Sequence, residues 1–200
     1  MGILSGSMNI FRLYFNEDFK YNIMEIGDIL EEYSFNNFYD EEKHVNYGFV
    51  PFEYPEKISF GEAPIIYGEY ILFSVRYDEK RFNSRYFKTE LITMKKRYME
   101  ESNKEYITKN DLEFLKNSLT NKLMKNAVPN TTIIEIVLIP EKKEIWLSVA
   151  SNKIIEVISN LFRSAFDINP YQETLIEMAK RTINNPSKVD KLLLLNPTMN

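Results

Sequence analysis

Apolar residues along the chain recur with two periods, and the switches between them mark the elements. In NIFRLYF, residues 9–15, Phe11, Leu13 and Phe15 fall on one side and Ile10, Arg12 and Tyr14 on the other. That alternation predicts a strand. From 18 to 34 the step lengthens: Phe19, Ile23, Ile26, Leu30 and Tyr33 form one helical stripe, with Asn16 or Asp18 placed to cap it. YGFVP, residues 47–51, predicts a short strand stopped by Pro51, and residues 52–63 a loop. IIYGEYILFSVRY, residues 65–77, predicts two strands about a Gly68–Glu69 turn or one bulged strand. Its YILFSV run is apolar enough for a central strand.

A second helical stripe, Phe87, Leu91, Met94 and Tyr98, predicts a helix over 84–102. A third, Leu112, Leu115, Leu119 and Leu123, predicts one over about 109–126, opened by a capping box of Thr108 and Asp111. The connector near 103–108 is short, so the two helices are expected to pack antiparallel. TTIIEIVLIP and EIWLSVAS about an EKKE turn predict a β-hairpin over 131–151. Ser151 is placed to cap a helix carrying Ile154, Val157, Ile158, Leu161 and Phe162 and ending near Asp167, and a last helix covers about 171–184. The leucine run at 192–195 predicts a docked strand or helical turn, because four exposed leucines invite aggregation. Strands and helices interleave without regular βαβ alternation. The expected class is α+β, an antiparallel-rich sheet with packed helices and a projecting helical hairpin. Residues 1–80 and 127–200 together would form the body, and 81–126 the hairpin insertion.

Charge sharpens this division. The chain of 200 residues is acidic, with net charge −4. Residues 81–126 hold eleven basic and six acidic side chains, net +5; the remainder holds 14 basic and 23 acidic, net −9. A cationic helix pair in an acidic chain attracts polyanions, and Lys and Arg contacts to phosphate need no base reading. A solvated Lys- and Glu-rich helical face has the same composition, so charge alone does not separate the two.

Other chemistry is thinly represented. Cysteine is absent, which removes disulfides, thiolate nucleophiles and Cys-ligated metals. The single histidine, His44, sits among Asp40, Glu41, Glu42 and Lys43, the setting of a solvated loop or helix-end residue. No phosphate-binding loop, dinucleotide fingerprint, HExxH or GxSxG stretch occurs. Trp146 is expected in the core, and a base-stacking role for it, Tyr98 or Tyr106 is the lesser reading. No cofactor and no metal site is expected. No apolar run approaches the ~20 residues of a membrane span, and MGILSGS lacks the features of a signal peptide or a myristoylation site. The chain is expected to be soluble and intracellular.

The order of these blocks resembles the RdgC family of recombination-associated bacterial DNA-binding proteins. MGILSGSMNIFRLYF is similar to that family's first strand, and YGFVP to its Gly-Trp-Val-Pro stretch with Phe49 in place of Trp. YILFSVRYDEKRFNSRYFKTELITMKK resembles its central strand and the junction to a helix, here Lys80-Arg81-Phe82-Asn83 without the family's proline. The strand–turn–strand–helix of residues 131–162 and the Phe166–Pro170 ending follow in family order. The resemblance covers about residues 1–185. It implies a non-enzymatic, sequence-independent DNA-binding protein of the cytoplasm and nucleoid that restrains RecA-type recombination. Duplex DNA is the expected partner before single strands, and a homodimer the expected assembly. Known members are longer at the C-terminal end, so DNA binding is implied more directly than a closed dimeric ring. The family's basic surface carries over onto Lys88, Lys95, Lys96, Arg97, Lys104, Lys109, Lys116, Lys122 and Lys125. A module that inhibits a recombinase directly through the same hairpin is the alternative.

Overall fold

A computed structural model describes residues 9–36, 44–61, 63–149 and 151–182. The leucine run at 192–195 and the acidic cluster at 40–42 lie outside them. The strands are β1 (Phe11–Tyr14), β2 (Val45–Val50), β3 (Ile66–Tyr67), β4 (Tyr70–Lys80), β5 (Pro129–Ile139) and β6 (Glu144–Leu147). The helices are α1 (Ile23–Glu32), α2 (Ser84–Ser102), α3 (Lys109–Lys125), α4 (Asn152–Phe166) and α5 (Leu175–Thr182). The strands form one sheet in the order β1-β6-β5-β4-β2, with β3 paired to β4. The pairings β1–β6, β2–β4, β3–β4 and β5–β6 are antiparallel, which makes the protein α+β. Gly68, at φ 65°, turns β3 into β4, so residues 65–77 are two strands and not one bulged strand.

The chain divides into two compact units. The first comprises Met1–Ile29, Pro64–Phe73 and Glu135–Asn200. Its core forms on α4, whose Ser151 cap accepts from the Ile154 N–H and whose Ile154, Val157, Ile158, Leu161, Phe162, Ala165 and Phe166 are all buried. Phe162 packs in tilted contact with Phe73 of β4 (ring centroids 6.0 Å apart) and with Phe166 (5.6 Å). Phe166 in turn meets Phe19 and Tyr21.

This aromatic cluster explains why α1 begins later than its stripe predicts. Phe19 belongs to the cluster and not to the helix. Asn22 starts the helix instead: its Oδ1 accepts from the Glu25 N–H at 3.0 Å while the Glu25 carboxylate accepts from the Asn22 N–H at 2.8 Å. Neither Asn16 nor Asp18 is the cap. The α5 boundary moves for a similar reason. Tyr171 exchanges two backbone hydrogen bonds of 2.8 Å with Tyr14, so the helix waits for a capping box of Thr174 and Glu177. Trp146 is half-buried on the sheet, outside the core. The Arg12 guanidinium lies 5.1 Å from its ring centroid, and its Nε1–H donates to Glu144 at 2.8 Å.

The second unit comprises Leu30–Ala63 and Ser74–Ile134. Here β2 lies on β4 with Gly48 opposite Arg76 and Phe49 opposite Val75. Residues 33–35 run against the other edge of β2, Phe35 donating to the Phe49 carbonyl at 2.8 Å. A Cβ at Gly48 would stand 2.5 Å from the Phe35 backbone, so only glycine fits there. Arg76 grips the buried Asp78 with two hydrogen bonds, 3.1 and 2.8 Å, and lays its guanidinium 4.3 Å from the Phe35 ring centroid. His44 is exposed, and its carbonyl accepts from the Lys80 N–H. The α2–α3 hairpin belongs to this unit.

Candidate nucleic-acid interface

The hairpin is built from a narrow apolar seam and local caps. Asn83 caps α2, its Oδ1 accepting from the Arg85 and Tyr86 N–H groups. Asn103 closes the helix in the left-handed conformation, φ 49°. Thr108 and Asp111 form the capping box of α3. Leu91 of α2 and Leu115 and Leu119 of α3 are buried together, with Phe87, Met94, Tyr98, Ile107, Leu112 and Leu123 packed around them. Three buried leucines at ~1.5–3 kcal/mol each hold the pair, a modest sum that leaves most of both helices facing water.

The nine basic positions expected at the interface do not form one patch. Lys88, Lys96, Arg97, Lys104, Lys109, Lys116, Lys122 and Lys125 are exposed, and Lys95 is half-buried. Each residue turns the direction by about 100°, so Lys95, Lys96 and Arg97 fan around α2 and Arg97 points away from Lys88. What the helix does align is a row of three- and four-residue steps: Arg85, Lys88, Ile92 and Lys96, with Lys95 beside it. Arg85 adds to the nine positions expected from sequence, and its three-residue step to Lys88 is the signal that finds it. On α3, Lys109 and Lys116 share one face two turns apart, Lys122 flanks the seam on its other side, and Lys125 stands apart from both.

Exposed apolar groups accompany the cations. Ile92 sits within the α2 row, and Tyr86, Tyr106 and Phe114 are exposed elsewhere on the hairpin. For Tyr86, Ile92 and Phe114 the signal in the sequence is that they fall off the seam's stripe, whereas Tyr106 lies in the connector.

Lys104 is engaged within the hairpin. Its Nζ donates to both Asp111 carboxylate oxygens at 3.0 Å and lies 3.2 Å from the Tyr98 hydroxyl. Tyr98 itself donates to Asp111 at 2.6 Å, and Thr108 donates to the same carboxylate through its N–H and its hydroxyl. These donors, the Tyr98 hydroxyl first and then Thr108 and Lys104, hold the Asp111 carboxyl well below the usual carboxylate range. The Asp111 carboxylate, and after it the Tyr98 hydroxyl, push the Lys104 ammonium up.

An α+β protein with a cation-bearing helical hairpin is the class these features define. The chain matches the model of the family described as "Putative exonuclease, RdgC" over residues 7–183. That span takes in every strand and helix described above, and the chain belongs to the RdgC family. No curated protein matches it. Family membership supports a role connected with DNA recombination. Among the described residues, no helix is long and apolar enough to cross a membrane.

Proposed function

We propose that this is a non-enzymatic protein that binds duplex DNA without sequence preference and so restrains RecA-type recombination, working as a homodimer at the nucleoid. The observation that carries the reading is the exposed row Arg85, Lys88, Ile92 and Lys96 on α2, with Lys95 at its edge. At ~1.5 Å per residue, the 19 residues of α2 reach roughly 28 Å, close to one turn of duplex. The row from Arg85 to Lys96 spans roughly 17 Å of that length, so its cations meet phosphates of one backbone strand over about half a turn. Their gain is the release of condensed counterions, which does not depend on base sequence.

The test is binding of random duplex across a salt series. Each phosphate contact adds roughly −0.9 to the slope of log K against log salt. Replacing Arg85, Lys88 and Lys96 together by alanine flattens the slope by about 2–3 and weakens binding equally for all sequences. Arg97→Ala, off the row, changes the slope far less. Equal effects of the two variants, or no binding at ~50 mM salt, would remove DNA from this face. Direct inhibition of a recombinase through the same hairpin instead predicts that inhibition persists when no DNA is present.

The family description raises a second reading, an exonuclease. Among the described residues no three His, Asp or Glu side chains gather as metal ligands would. End-labelled duplex incubated with Mg²⁺ or Mn²⁺ is expected to be recovered at full length. Release of mononucleotides in proportion to protein would replace the binding reading with an enzymatic one.

A further inference from the structure

The closure of the hairpin bears on which cations reach a polyanion. Lys104 reaches across the connector to Asp111, seven positions on, and its Nζ also lies 5.2 Å from the Tyr98 ring centroid. The Asp111 side chain is only 14% exposed and the Lys104 side chain 42%, so the pair is sheltered chiefly on the carboxylate side. The carboxylate accepts from three side chains and a backbone N–H, which leaves it little freedom to turn away. The backbone reinforces the fold of the loop: the Lys104 N–H closes on the Met99 carbonyl at 3.1 Å, behind the left-handed Asn103.

We propose that Asp111 is a positioning residue that sequesters Lys104, keeping this lysine as an internal brace of the hairpin and off the polyanion, and so sets how many phosphates the hairpin neutralises. The inference rests on the DNA-binding reading above, and it removes Lys104 from the surface that reading uses. A phosphate competing for Lys104 must break its contacts with the carboxylate and the hydroxyl and leave Asp111 uncompensated beside the incoming negative charge. That opposes capture of Lys104 by DNA while leaving Arg85, Lys88 and Lys96 available.

The experiment is a cycle of Asp111→Asn, Lys104→Ala and the double variant, each read in two ways. The amide introduced by Asp111→Asn keeps a carbonyl oxygen for Thr108, so the capping contact is conserved while the charge is lost. Without DNA, acetylation of Lys104 by acetic anhydride, followed by peptide mass, is expected to run several-fold faster in Asp111→Asn, with Lys109 as the internal reference. With random duplex, Asp111→Asn is expected to steepen the salt slope by about 0.9, one added phosphate contact. Lys104→Ala alone is expected to leave the slope unchanged, and the double variant to return it to the wild-type value.

A flattened slope in Lys104→Ala would overturn the proposal, because Lys104 would already be on the DNA. So would a steeper slope that survives in the double variant, because loss of negative charge alone would then explain it. An unchanged slope and unchanged acetylation in Asp111→Asn overturn it too. Should Asp111→Asn lose helicity by circular dichroism, the Lys104→Ala slope decides alone. Absence of salt-dependent binding in the wild type, with the acetylation difference intact, would instead defeat the DNA-binding reading and leave the sequestration standing.

Discussion

Helix α4 has 15 residues and buries seven side chains; α2 has 19 and buries one. Both are amphipathic, and the width of the stripe separates them. In α4 the apolar positions come as pairs, Val157 with Ile158, Leu161 with Phe162 and Ala165 with Phe166, which covers a broad face and fills a core against Phe73. In α2, Phe87, Leu91, Met94 and Tyr98 stand singly, enough for one neighbouring helix and no more. The broad stripe yields a structural element whose polar residues have little room. The narrow one leaves most of the circumference to water, where cations cost little to display.

The largest expected break in this comparison is in α4. Phe162→Ala should cost about 3–5 kcal/mol, read as a lowered midpoint of urea unfolding followed by Trp146 fluorescence. Leu119→Ala in the hairpin should cost less, about 2–3 kcal/mol, since the three-leucine cluster is small. Hydrogen exchange would report it as lost protection of α2 and α3 amides with α4 amides unchanged. Equal loss in α4 would mean that the two regions do not differ in the way proposed.

A smaller effect comes from acid. The folded pKa of Asp111 is depressed, so its contribution is whole above the ordinary carboxylate value of ~3.9 and is lost as pH falls toward the folded value. Lys104 is shifted the other way, so its part is complete below the ordinary lysine value of ~10.4 and disappears only as pH rises through the raised one. Amides of residues 103–108 should therefore lose protection below about pH 4, in a step that Asp111→Asn lacks. A step of the same size in that variant would place the acid sensitivity elsewhere.

Much of the hairpin was legible from sequence because its determinants are local. The α2 and α3 spans, the seam residues and the Thr108–Asp111 box follow from contacts three and four residues apart. The starts of α1 and α5 differ from the sequence expectation because a distant partner claims the residue there: Phe166 claims Phe19, which has helical spacing, and Tyr14 claims Tyr171. Trp146 looked like core because its strand is apolar, yet its indole meets Arg12 and Glu144. The basic residues were all in view, but composition does not sort them by direction. Arg97 leaves the row for a reason the helical period already contains, whereas the engagement of Lys104 depends on how the connector folds.

By itself the sequence determined the periods, the caps and the concentration of positive charge in one segment, since each acts through neighbours within about four residues. The tertiary structure decided the rest: that Gly48 must clear the Phe35 backbone, that Lys143 donates to the Asn16 carbonyl 127 residues away, and that Asp111 holds Lys104. Those contacts join groups that chain spacing does not relate, and they exist only once the backbone has brought them within hydrogen-bond or van der Waals reach.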